Sequence, residues 1–109
     1  MVEYTLNLDS IFGSLADPTR RDILQRLAAT QLTVGEIARA YDVSLAAISK
    51  HLKVLESAHL IIKKRRGKEQ IVQLSPGAFQ SAAEYLEWYQ SLWEQRFDAL
   101  EEFLKEDTK

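Results

Sequence analysis

Ala46, Ala47, Ser49, Lys50 and Lys53 are spaced to share the outward face of one helix, with Ser44 and Leu45 leading into it. Two are small, one carries a hydroxyl and two carry ammonium groups. Such a face suits recognition more than bond-making. Small residues allow close approach to a groove, a hydroxyl meets base edges, and cations meet phosphates. His51 stands beside Lys50 and has two readings: a phosphate or base contact, or a half-buried ring packed against the following hairpin. A second basic group, Lys64, Arg65, Arg66 and Lys68, surrounds Gly67. It would reach phosphates or a minor groove. Catalytic chemistry has little to work with. There is no cysteine, no phosphate-cradling loop, and both histidines, His51 and His59, fall inside this same segment.

The elements that must position these groups are legible as periodic patterns. Val34, Ile37, Ala38 and Tyr41 recur at helical spacing, and so do Ile48, Leu52 and Leu55. Asp42-Val43-Ser44 separates them, and Ser44 is suited to cap the second helix. Two helices joined by so short a turn cross steeply, as in a helix-turn-helix, here about 33–58. Thr33 and Glu36 make a capping box for its first helix. Upstream, Leu8, Ile11, Phe12 and Leu15 predict a helix beginning near Asn7 or Asp9, and the alternation of Val2, Tyr4 and Leu6 is too short for a strand. Asp17-Pro18 opens a second helix with Ile23, Leu24 and Leu27 buried. Arg20 and Arg21 are expected to pair with Asp17 or Asp22.

After Leu60 the pattern changes to two strands around Gly67, a wing at about 60–74. Ser75-Pro76 starts a last helix, about 76–106, on which Phe79, Leu86, Trp93 and Leu100 recur every seventh residue. Tyr85, Trp88, Tyr89 and Phe97 widen that apolar face beyond what one small domain needs. Self-association would bury the surplus, with Phe12, Tyr85, Trp88, Tyr89, Trp93, Phe97 and Leu100 as interface candidates. The same aromatic stripe could instead line a pocket for an apolar effector.

The 109 residues suggest a single domain, 1–109, mainly α with a small β-hairpin and long N- and C-terminal dimerisation helices. No apolar run is long enough to span a bilayer and no signal peptide opens the chain, so no membrane partner and a cytoplasmic location are expected. Without cysteine there is no disulfide and no thiolate metal site. The net charge of −2 conceals an asymmetry. Residues 44–74 hold seven lysines and arginines against two glutamates, a local +5, which leaves −7 for the rest. An acidic body with one basic segment can still bind nucleic acid, because the local field decides the contact.

Taken together, LADPTRRDIL at 15–24, LTVGEIA at 32–38, the spacing S-x-x-x-I-S-K-H-L-K-V-L at 44–55 and the Arg66-Gly67-Lys68 wing resemble the ArsR/SmtB family of winged-helix repressors over nearly the whole chain. The ending YLEWYQSLWEQRFDALEEFL at 85–104 is similar to a metal-free branch of that family, read as autoregulatory or as partnered with small-ligand-binding proteins. The resemblance implies a homodimer that binds double-stranded DNA at an inverted-repeat operator and represses transcription. It implies no cofactor. The family's cysteine metal site would fall where Thr33, Val34, Gly35 and Glu36 stand, and its other site needs histidines that the last helix lacks. Two positions depart from the pattern. Leu45-Ala46 replaces the Gln-Pro of many relatives, and His59 stands where they have glycine. A rival reading is a protein-interaction module that has lost DNA binding. The lysines and arginines of 50–68 argue against it.

Overall fold

Helix α1 (Val2–Ser14) is followed by α2 (Pro18–Ala29), a two-residue strand β1 (Leu32–Thr33), α3 (Val34–Arg39), α4 (Leu45–Ser57), the strands β2 (Ile61–Arg66) and β3 (Glu69–Leu74), and α5 (Pro76–Asp107). The computed structural model describes residues 2–107, with side chains from 8 to 106 apart from 78. The chain divides into two compact units, Met1–Phe79 and Gln80–Lys109. The first contains every element up to the opening turn of α5. The second is the remainder of α5.

Helix α1 begins at Val2, earlier than the expected Asn7 or Asp9. Nothing between Val2 and Phe12 breaks a helix, so the backbone continues through the stretch whose alternation hinted at a strand. The side chains of Val2, Tyr4 and Leu6 lie outside the described residues. The α2 boundary is as its residues imply. Asp17 is extended (φ −117°, ψ 129°), its carboxylate accepts the Arg20 backbone N–H at 2.9 Å, and Pro18 occupies the first helical position. That backbone N–H is the main reason the Asp17 carboxyl sits below its ordinary pKa. Thr33 and Glu36 form the reciprocal box that starts α3. The Glu36 carboxylate accepts the Thr33 N–H at 2.9 Å, and the Thr33 hydroxyl accepts the Glu36 N–H at 3.1 Å.

Strand β1 is an addition to the expected hairpin. Leu32 pairs with Val72 and Thr33 with Ile71, so the sheet has three antiparallel strands in the order β1-β3-β2. Thr33 thus serves as a strand end and a helix cap at once. In the hairpin, Ile61 opposes Leu74 and Arg66 opposes Glu69, leaving Gly67-Lys68 as a two-residue loop. Gly67 has φ +64°, the first loop position where tight hairpins favour glycine. The hairpin's base is closed by the Ser75 N–H donating to the Leu60 carbonyl at 2.9 Å.

The core of the first unit is aliphatic. Ile11, Ile23, Ile37, Ile48, Leu52, Leu55, Leu60, Ile61 and Val72 are fully or almost fully buried. Three of these, Ile48, Leu52 and Leu55, form the inner stripe of α4. Helix α4 ends in a Schellman arrangement. The His59 N–H donates to the Glu56 carbonyl at 3.0 Å, and the Leu60 N–H reaches back to Leu55 at 3.1 Å. His59 takes the left-handed position (φ 61°) that such an ending usually gives to glycine. The turn is kept because Leu55 and Leu60, at its two ends, are both buried.

Candidate nucleic-acid interface

Each end of α4 is fixed, and its inner stripe is locked in the core. Its outer face is therefore presented without freedom to roll. The Ser44 hydroxyl accepts the Ala47 N–H at 3.1 Å and sets the first turn. Leu45 is 59% exposed, and Ala46, Ser49, Lys50 and Lys53 are exposed, while Ala47 is half-buried. Ala46, Ser49, Lys50 and Lys53 are spaced i, i+3, i+4, i+7, one continuous strip along the helix. Small side chains lie at the N-terminal end and ammonium groups behind them, as a helix entering a major groove requires.

His51 does not face the wing. Its ring is half-buried, with Nδ1 3.8 Å from the Asp17 carboxylate and 3.4 Å from Arg20 Nη1. The same guanidinium donates from Nε to the Ser14 carbonyl at 2.6 Å and from Nη2 to Gly13 at 3.3 Å. Arg20 therefore joins the end of α1, the start of α2 and the middle of α4. Arg21 likewise donates to the Leu15 carbonyl at 2.7 Å. Among the described residues neither arginine side chain is within ion-pair distance of Asp17 or Asp22, though the Arg20 charge helps hold the Asp17 carboxyl down. The Gly13, Ser14 and Leu15 carbonyls lie at the negative end of the α1 dipole and take the cations instead, the Gly13 carbonyl also accepting the Ala16 N–H at 3.2 Å. His51 belongs to this junction.

Asp22 is taken by other partners. Its carboxylate accepts the Tyr41 hydroxyl at 2.5 Å and Arg26 Nε at 3.0 Å, and the Arg26 guanidinium lies 5.3 Å from the Tyr41 ring centre. The Tyr41 hydroxyl, then the Arg26 hydrogen bond, hold the Asp22 carboxyl below its ordinary pKa. Burial, then the bond to Asp22, push the Tyr41 phenol up. This cluster ties α2 to the turn between α3 and α4, and so fixes the crossing of the two motif helices.

The wing cations do not share one face. Strand register puts Lys63 opposite Val72 and Arg65 opposite Gln70, on one side. Lys64 and Arg66, opposite Ile71 and Glu69, lie on the other. Lys63 is half-buried and pairs with Glu56 of α4 at 3.5 Å, so it orients the hairpin against the helix. Lys64, Arg65, Arg66 and Lys68 are exposed. Lys68 also borders a groove of about 350 Å³ shared with Thr33, Arg39, Leu45 and Gln70. Arg39 and Gln70 thus join the surface between the start of α4 and the wing tip. Neither carries a signal in the sequence, since Arg39 is a lone cation on a short helix and Gln70 an ordinary strand residue.

In the second unit, Trp88, Trp93 and Phe97 are 60%, 53% and 60% exposed, and Tyr89 and Leu100 are also exposed. Tyr85 is half-buried, and its ring meets Tyr89 edge-on at 5.0 Å. Phe12, on α1, is half-buried. Among the described residues no three His, Asp or Glu side chains gather in a metal-holding group, and no helix is long and apolar enough to cross a membrane.

A capped recognition helix backed by a three-stranded wing defines the winged helix-turn-helix class. Residues 15–64 match the model of a helix-turn-helix domain. The chain is 47% identical over 68 residues to the HTH-type transcriptional regulator Rv2034 of Mycobacterium tuberculosis (strain ATCC 25618 / H37Rv), covering 62% of this chain and 64% of that protein. It is 38% identical over 61 residues to the transcriptional repressor SdpR of Bacillus subtilis (strain 168), covering 56% and 68%. The match to Rv2034 thus spans less than two thirds of that regulator. Among solved structures, the ArsR family transcriptional regulator RHA00566 superposes with a TM-score of 0.77 at 34% identity, covering 83% of this chain and 93% of that one. The homodimeric winged helix-turn-helix DNA-binding domain of Mb0332 from Mycobacterium bovis shares the fold, with a TM-score of 0.60 at 24% identity over 89% of this chain and 84% of that one. The chain belongs to the ArsR/SmtB family of winged helix-turn-helix transcriptional repressors.

Proposed function

We propose that this protein is a homodimeric repressor that binds a palindromic operator on double-stranded DNA in the cytoplasm, acting by binding and not by catalysis. The observation that carries the reading is the exposed strip Ala46-Ser49-Lys50-Lys53 on a helix whose opposite stripe, Ile48, Leu52 and Leu55, is fully buried. Such a helix can be pressed into a groove without losing its own support. Ser44, Leu45, Ala46, Ala47 and Ser49 take base edges, and Lys50 and Lys53 take phosphates. Of Lys64, Arg65, Arg66 and Lys68, those on the side of the wing turned to the duplex extend the contact along the backbone. His51, engaged by Asp17 and Arg20, positions the helix. The exposed aromatic face of α5 supports self-association through Trp88, Tyr89, Trp93, Phe97 and Leu100, with Tyr85 and Phe12 alongside.

With no cysteine in the chain and no histidine on α5, release from DNA would not run through the family's metal sites. Autoregulation is the simplest circuit, so the test uses DNA upstream of the protein's own gene. A mobility-shift assay should show a discrete complex that resists non-specific competitor. Lys50→Ala or Lys53→Ala should weaken operator and random DNA together. Each should flatten the salt dependence by about one unit of slope for every phosphate left without its cation. Wild-type slopes in both variants would remove these lysines from the interface.

A further inference from the structure

Gly13 is the second-last residue of α1, where glycine gives a helix less support than alanine would. Neither usual reason for a glycine applies. Its φ is not in the left-handed region, and a Cβ built on it would meet nothing within 4 Å. What the missing side chain leaves is space. A groove of about 610 Å³ opens there between α1 and α4, within the first unit. Ser10, Gly13 and Ser14 form one wall, at i, i+3, i+4 of α1. Lys50, Lys53, Val54, Ser57 and Ala58 form the other.

The lining has two characters. Val54 is 40% exposed, an apolar residue on the outer side of α4, and with Gly13 and Ala58 it makes an apolar floor. The Ser14 hydroxyl is spent on the Ile11 carbonyl at 2.8 Å, while Ser10 and Ser57, both exposed, add hydroxyls to the edges of the groove. Lys50 and Lys53 stand one turn apart at one end, and among the described residues neither has an ion-pair partner. The volume falls within the range of small-molecule sites, about 300–1,000 Å³. An apolar trough with two unpaired cations at one end is complementary to a molecule built the opposite way.

We propose that the groove between α1 and α4 binds an amphipathic organic anion, with its apolar body against Gly13, Val54 and Ala58 and its carboxylate between Lys50 and Lys53. The consequence for regulation rests on the DNA-binding reading above. The two ammonium groups proposed to hold DNA phosphates are the two that hold the ligand, so the ligand and DNA exclude one another. The ligand is then a releasing signal that acts on the recognition helix itself.

The test separates the site from its consequence. Decanoate serves as the probe and decan-1-ol as its uncharged counterpart, titrated calorimetrically into the full, DNA-free chain. Decanoate should bind saturably, one per chain, and at least tenfold more tightly than decan-1-ol. Gly13→Leu fills the trough and suits a helix, so it should fold and lose decanoate binding at least tenfold. The double variant Lys50→Gln/Lys53→Gln should lose the preference for decanoate over decan-1-ol. No saturable binding overturns the proposal, as when a second copy of the chain fills the groove. So does unchanged binding in Gly13→Leu, which would move the site elsewhere, or equal affinity for acid and alcohol. Decanoate should also displace DNA from wild type and not from Gly13→Leu, whose DNA affinity stays intact. A protein that binds decanoate as described but never binds DNA would keep the site and refute the proposed function. One that binds DNA but not decanoate would do the reverse.

Discussion

His59 is the one described non-glycine residue with a positive φ, and it sits where α4 turns into the wing. The left-handed conformation costs an L-residue roughly 1–2 kcal/mol, partly offset because glycine loses more chain entropy on folding. His59→Gly should therefore raise stability by about 1 kcal/mol, read as a higher urea midpoint with an unchanged slope. A lower midpoint would mean that the histidine makes a contact that outweighs its backbone cost. Tyr41 offers a second test through pH. The Asp22 carboxyl titrates below its ordinary value because the Tyr41 hydroxyl and Arg26 stabilise its charged form. A depressed carboxylate stabilises the fold above its unfolded pKa, near 4, and that contribution is lost as pH falls through the folded value. Tyr41→Phe should melt at a lower temperature than wild type at pH 7, and the gap should narrow below about pH 4. A gap independent of pH would assign the loss to the hydroxyl's other bond, from Arg26, and not to the charged form of Asp22.

At the scale of elements, the parts legible in the sequence are those fixed by near neighbours. Ser44 with Ala47, Thr33 with Glu36, and Asp17 with Arg20 are all bonds across three residues, and each cap is where its spacing puts it. The left-handed turn at His59 fits the family resemblance, which has glycine there, and is not legible in the histidine itself. What is not legible depends on distance along the chain. Strand β1 is two residues long and exists only because Val72 and Ile71 pair with it. Arg20 has acidic neighbours at hand, yet its side chain binds carbonyls six and seven positions back and a histidine 31 positions on. The wing shows the same limit. Lys64, Arg65, Arg66 and Lys68 around Gly67 read as one basic group, but the pleat sends Arg65 to the side opposite Lys64 and Arg66. Lys64→Ala and Arg66→Ala should therefore behave alike in DNA affinity, and Arg65→Ala differently. The side that faces the duplex should lose on the order of 1 kcal/mol for each charge-assisted hydrogen bond to a phosphate. Equal losses at all three positions would mean that the hairpin twists on binding, or that only the summed charge matters.

At the scale of the whole molecule, the proposed recognition depends on a second copy. One basic segment carries a local charge of +5 in a chain of net −2, and a dimer presents two such segments on a two-fold axis. The surface able to make that dimer is on α5, where Trp88, Trp93 and Phe97 are each more than half exposed in the single chain. Burying an aromatic side chain contributes roughly 1.5–3 kcal/mol. Association has its own cost in rotational and translational freedom, so several such residues per subunit are needed. We expect a dimer without DNA, held by this face. Trp93→Glu should give a folded monomer by circular dichroism and sedimentation, because Trp93 is already half exposed and the core of the first unit does not contain it. DNA binding should fall with dimerisation, since one recognition helix cannot span two half-sites. The operator follows from the same geometry. Protection should cover two half-sites whose centres are about one helical turn, or a whole number of turns, apart. A wild-type monomer at micromolar concentration in sedimentation equilibrium would sink the dimer and the palindrome together. A Trp93→Glu dimer with full DNA affinity would leave the dimer standing and move its interface off this part of α5.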